Sequence, residues 1–81
     1  MGYHKIKIPK GKLGEFSKIT EEYMELFDAH EQDVHILELC ELCDLIGAIE
    51  LYSKEKFNIS LEDLIKMKNL TSDAFNDGSR H

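Results

Sequence analysis

Between Val34 and Lys56 apolar residues occupy so many helical positions that almost no face is left for water. Placed at about 100° per residue, Leu37, Leu45, Ala48, Leu51 and Tyr52 cluster on one side, and Ile36, Leu39, Leu42, Ile46 and Ile49 take much of the remaining circumference. A helix apolar nearly all round is normally buried. A chain of 81 residues has few partners of its own with which to bury it, and at this size a single core is only marginally stabilising. These constraints predict an all-α domain whose core, of four-helix-bundle type, is completed by oligomerisation.

Two further helical segments fit this scheme. Phe16, Ile19, Tyr23, Leu26 and Phe27 recur at three- and four-residue steps, which predicts helix one over residues 13–29. The polar run His30-Glu31-Gln32-Asp33 interrupts the pattern, with Asp33 placed to cap helix two over residues 34–56. Phe57-Asn58-Ile59 reads as a turn, and Ser60 as the cap of helix three over residues 61–75, with Asp63 at the capping-box position. Residues 1–12 alternate briefly at Ile6 and Ile8 and then meet Pro9 and Gly11, the pattern of an extended arm with a turn. Residues 77–81 read as a frayed tail. There is no sign of a second domain or an internal repeat.

The net charge of −6 hides an asymmetry. Residues 1–12 carry four lysines and no acid, leaving 6 basic against 16 acidic groups in the remainder. Such a body is unsuited to DNA or RNA, whose phosphates need a basic surface. It can handle a phosphorylated ligand if divalent cations bridge carboxylates to phosphates. No apolar run approaches a membrane span and the start lacks a secretory h-region, so a cytoplasmic setting is expected. Cys40 and Cys43 form a CxxC inside the helical pattern, without a second pair or spaced histidines, and read as small buried core residues.

The unusual feature of helix two is that Glu41 and Asp44 fall among its apolar residues on the wheel. Ionised carboxylates there cost several kcal/mol each unless a cation meets them. Helix one offers a second pair at the same spacing, Glu22 and Glu25, at the edge of its stripe. Four carboxylates from opposed ExxE and ExxD pairs suit Mg²⁺ or Mn²⁺. Glu21, Asp28, Glu31, Glu55 and Glu62 read as surface charges, and Glu38 as a possible support behind the ligands. In helix three, Lys68 lies amid the apolar face of Leu61, Leu64, Ile65, Thr71 and Phe75, where it is either a partner for the carboxylates or a phosphate ligand. Gly47, with Ile36, Cys40 and Cys43, marks a strip on helix two suited to close approach of another helix.

The order Glu22-x-x-Glu25, then Glu41-x-x-Asp44, with the local sequences EEYMEL and ELCDLI, resembles the MazG-like all-α nucleoside triphosphate pyrophosphohydrolases over about residues 13–75. The resemblance implies Mg²⁺-dependent hydrolysis of a nucleoside triphosphate to monophosphate and pyrophosphate, with Glu22, Glu25, Glu41 and Asp44 as the catalytic, metal-holding residues. It also implies a homodimer or homotetramer. Candidate substrate-binding residues are Lys18, Lys68, Asn69, Ser72, Asn76 and Arg80. Two other classes fit the same residues: a catalytically silent helical interaction module, and a simple divalent-metal-binding bundle.

Overall fold

The computed structural model describes residues 4–76, with side chains through Ser72. Among the described residues it is all-helical: α1 spans Phe16–Gln32, α2 His35–Phe57 and α3 Leu61–Asn76. Among the described residues, the chain ahead of α1, residues 4–15, forms neither helix nor strand. The frayed tail expected over residues 77–81 lies outside the described residues.

α1 and α2 pack as an antiparallel pair. The edge-on contact of Phe16 with Tyr52, ring centres 5.8 Å apart, closes one end. α3 packs on α2 and makes no comparable contact with α1. A hydrophobic groove lies between α2 and α3, lined by Ile49, Tyr52, Phe57, Leu64 and Met67.

The two interhelical joints are built by left-handed residues. Helix one does not stop at Ala29, as the polar run suggested, but continues to Gln32. Asp33, expected to cap α2 through its side chain, instead terminates α1 at φ 58°, and Val34 takes the N-cap position of α2 without a side-chain cap. The Asp33 N–H donates to the His30 carbonyl at 3.0 Å and that of Val34 to Ala29 at 3.5 Å, the Schellman pairing that satisfies the last carbonyls of a helix. Polar residues are compatible with a last helical turn, so hydropathy alone misplaces this boundary. Asn58, at φ 56°, closes α2 in the same backbone region. Ser53, buried, donates its hydroxyl to the Ile59 carbonyl at 3.0 Å and holds that turn. Ser60 caps α3 as expected, its Oγ accepting the Asp63 N–H at 3.2 Å.

Packing departs most from expectation at the α1–α2 seam. The face of α1 that meets α2 is the charged one, with Glu21, Glu22, Asp28 and Ala29 buried. Much of its apolar stripe stays open, Phe16 at 62% and Tyr23 at 56% exposure. α2 turns Glu41, Ala48 and half-buried Leu37, Leu45 and Tyr52 towards α1, leaving Ile36, Leu39, Leu42 and Ile46 exposed. Cys40 and Cys43 are free and exposed, not buried in a core. Ala29 and Ala48 are the only fully buried hydrophobic residues among those described. The buried centre of the single chain is therefore acidic rather than oily.

Candidate metal centre

The seam between α1 and α2 places six carboxylates close together: Glu21, Glu22, Glu25 and Asp28 from α1, Glu41 and Asp44 from α2. Residues 22, 25 and 28 follow one another at three-residue steps and so line one side of α1. Glu41 is 5% exposed, which agrees with its position on the helical wheel. Asp44, one step further round α2, is exposed, so it bounds the cluster on the solvent side. Oxygens of Glu22, Glu41 and Asp44 lie within 4.8 Å of one another, as do those of Glu21, Glu22 and Glu25. The four carboxylates of the two motifs are thus brought to one place.

Three carboxylates have protein partners that explain their burial. Glu21 accepts the Gly11 N–H at 2.8 Å and the Lys18 ammonium at 3.1 Å. Burial opposes its ionisation, but these bonds hold its pKa below the ordinary glutamate value. Asp28 accepts the Lys5 N–H at 3.0 Å and the Gln32 amide at 2.9 Å, and it pairs with His4 Nδ1, also at 3.0 Å. Its pKa is likewise lowered, against burial, by the Lys5, His4 and Gln32 bonds. Glu22 is paired through Oε2 with Lys18 at 3.0 Å, and that pairing leads the causes that raise the lysine's pKa. Glu21 and Asp28 were expected at the surface; instead they pin the N-terminal segment to α1. Gly11 permits this, since a Cβ there would sit 2.3 Å from the Ser17 carbonyl oxygen.

These partners leave part of the cluster under-compensated. Glu22 Oε1 and Glu41 Oε1 are buried and have no hydrogen-bond partner among the described residues. A buried carboxylate oxygen without a donor is a costly arrangement. Burial, and then the carboxylates of Glu21, Glu22 and Glu41, push the pKa of Glu25 up to about 7. That of Glu41 is raised by burial and by Asp44 and Glu22, in spite of His4. Among the described residues the cations paired with the cluster are Lys18, exposed Lys10 at 3.7 Å from Glu21, and His4. A hard dication would supply both the missing charge and the missing partners, so the donor set fits a Mg²⁺- or Mn²⁺-type ion.

The cluster opens into a cleft of about 990 Å³ whose walls include Ile6, Ile8, Val34, Ile36 and Leu37 beside the carboxylates, Lys10 and Lys18. Of the four candidate substrate residues whose side chains are described, only Lys18 reaches it. Lys68 shares the register of half-buried Leu61, Leu64 and Thr71, yet its side chain is exposed because α1 does not pack on α3. Asn69 is exposed and Ser72 half-buried, both away from the cleft; the Asn76 side chain and Arg80 lie outside the described residues. Glu38 does not stand behind the ligands but pairs with His30 at 3.3 Å in the first turn of α2. Gly47 has no neighbour within 4 Å of where a Cβ would be, so nothing in the chain itself requires it.

His4 is the functional candidate that sequence reasoning missed. Its separations of 24 and 37 residues from Asp28 and Glu41 carry no periodic signal. Asp28 had one, as the next three-residue step after Glu22 and Glu25. No family model, curated protein or solved structure matches the chain.

Proposed function

We propose that this protein is a cytoplasmic, divalent-metal-dependent hydrolase of nucleoside triphosphates, releasing monophosphate and pyrophosphate in the manner of the MazG-like enzymes it resembles. One observation carries the metal part of this reading: Glu22 and Glu41, one from each motif, each keep a buried oxygen without a partner among the described residues, and carboxylate oxygens of the two residues lie within 4.8 Å of one another. Glu22, Glu25, Glu41 and Asp44 would hold the ion or ions. When bound, Mg²⁺ or Mn²⁺ would neutralise phosphate oxygens and lower the pKa of a coordinated water.

The chain's own residues have separable duties. One oxygen each of Glu21 and Asp28 is already engaged by backbone and side-chain donors, so these residues act as clamps on the N-terminal segment. Lys18 stands at the rim, bonded to Glu21 and Glu22, and can turn towards an incoming phosphate as metal relieves it of Glu22. The apolar wall of Val34, Ile36 and Leu37 offers a surface for a base or ribose. In this reading the exposed apolar faces of α1 and α2 are covered in a homodimer or homotetramer, giving the four-helix core, and the polar strip of α3 reaches a cleft only within that assembly.

The test is pyrophosphate release from a panel of ordinary and modified ribo- and deoxyribonucleoside triphosphates with Mg²⁺ or Mn²⁺. Release from at least one substrate, abolished by Glu41→Gln, is expected. Absence of release across the panel from protein that binds the ion would return the chain to the simple metal-binding class.

A further inference from the structure

We infer that His4 is a nitrogen ligand to a divalent ion, held jointly with Glu25 and Glu41, and that the centre therefore favours first-row transition-metal ions over Mg²⁺. The inference rests on the metal reading above and adds a ligand from outside both helical motifs.

Three observations lead to it. First, His4 Nε2 lies 3.1 Å from Glu41 Oε2 and 3.5 Å from Glu25 Oε1, and the three residues each offer a ligand atom within 4.8 Å of the others. Second, the opposite ring nitrogen is already committed: Nδ1–H donates to Asp28 Oδ2 at 3.0 Å, and that carboxylate is fixed in turn by the Lys5 N–H and the Gln32 amide. A carboxylate behind one imidazole nitrogen sets the tautomer, aims the other nitrogen and strengthens it as a donor to metal. Third, and independently, Glu41 keeps a second oxygen buried without a partner beside this imidazole. Without an ion, carboxylate acceptors on both nitrogens call for an imidazolium. It brings one positive charge to three acids and leaves that oxygen unserved. A dication replaces the Nε2 proton, which passes to solvent, and meets the imidazole and both glutamates together.

Imidazole distinguishes among ions. Mg²⁺ strongly prefers oxygen, whereas Mn²⁺, Co²⁺ and Zn²⁺ accept nitrogen with affinity rising along the first row. Because His4 belongs to the segment tied to α1 through Lys5, Gly11 and Glu21, ion binding also fastens that segment over the cleft.

The experiment uses the full chain with Mn²⁺, Co²⁺ and Mg²⁺ as probes. Pulsed EPR of bound Mn²⁺ is expected to show imidazole nitrogen coupling that shifts on ring-¹⁵N labelling of histidine and vanishes in His4→Gln. Co²⁺ affinity, by calorimetry, should fall about 10-fold or more in His4→Gln and in Asp28→Asn, while Mg²⁺ affinity changes much less. If substitution in the arm disturbs folding, the variant with His30, His35 and His81 all changed to Gln leaves His4 as the single histidine and must retain the coupling. Mn²⁺ bound without nitrogen coupling, with Co²⁺ affinity unchanged in His4→Gln, would overturn the inference and leave the carboxylate site standing. Failure of the wild type to bind any of the three ions would overturn both.

Discussion

The surroundings of Glu25 oppose its negative charge. Burial and its neighbours Glu21, Glu22 and Glu41 raise its pKa to about 7 from the ordinary 4.5. A carboxyl shifted upwards gains a proton on folding, so its contribution is full below the unfolded value and is lost as pH rises through the folded one. His4 acts in the same direction: burial works against its charged form, but the Asp28 and Glu41 bonds raise its pKa above 6.5. The lowered Glu21 and Asp28 act oppositely, and their stabilisation is lost only in acid. In EDTA, stability should therefore decline between about pH 5 and pH 8, and Mn²⁺ should abolish the decline. A melting temperature flat across that interval without metal would refute this balance of charges. Glu41→Gln removes a raised, half-satisfied carboxylate, so melting in EDTA should match or exceed wild type while pyrophosphate release disappears. Lys18→Met has the reverse signature: with Glu22 stripped of its cation and Glu21 of one of its donors, it should cost roughly 2 to 4 kcal/mol in EDTA and less with Mn²⁺ present. The burial of Glu41 was legible in the sequence because the residue falls amid apolar helical positions. His4 was not, because an irregular segment has no period to place it.

At the level of elements, the three helices were legible from hydropathy period and the Ser60 cap from its chemistry, since both are local. Helix ends set by backbone geometry were not. Asp33 and Asn58 occupy left-handed conformations that cost an L-residue energy but a glycine almost none. Asp33 also pairs with His35 at 3.2 Å, yet both side chains are more than four-fifths exposed, and such a pair contributes little. Asp33→Gly and Asn58→Gly should therefore each raise stability, by about 0.5 kcal/mol, measurable as small additive gains in melting temperature. Gly14 provides the contrast. At φ 87°, with Glu55 Cγ 3.0 Å from the site of a Cβ, it joins the start of α1 to the end of α2, and Gly14→Ala should destabilise by about 1 to 2 kcal/mol. The seam was misread for a related reason: hydropathy marks which side chains avoid water, and here partnered acids took the buried face of α1.

For the whole molecule, the difficulty is that one chain does not cover itself. Its Cα radius of gyration is 14.9 Å, where a compact domain of this length would have about 12 Å. Ile36, Leu39, Leu42 and Ile46 form a continuous exposed row on α2, and Ile65, Met67 and Leu70 remain exposed on α3. Gly47, bordering the α2 row with open space before it, lets another backbone approach. These residues should meet their counterparts in a second copy, so light scattering should give at least a dimer at micromolar concentration. Placing a charge in the row tests this without touching the acidic seam. Leu39→Glu and Ile46→Lys, each alone, should shift the protein towards monomer and lower its stability in a concentration-dependent way. Mixing the two variants should restore part of the assembly if the rows face one another, because opposite charges then meet. A fully helical, monodisperse wild-type monomer would defeat the expectation. A dimer unaffected by either charge would move the interface to α3 and the open stripe of α1.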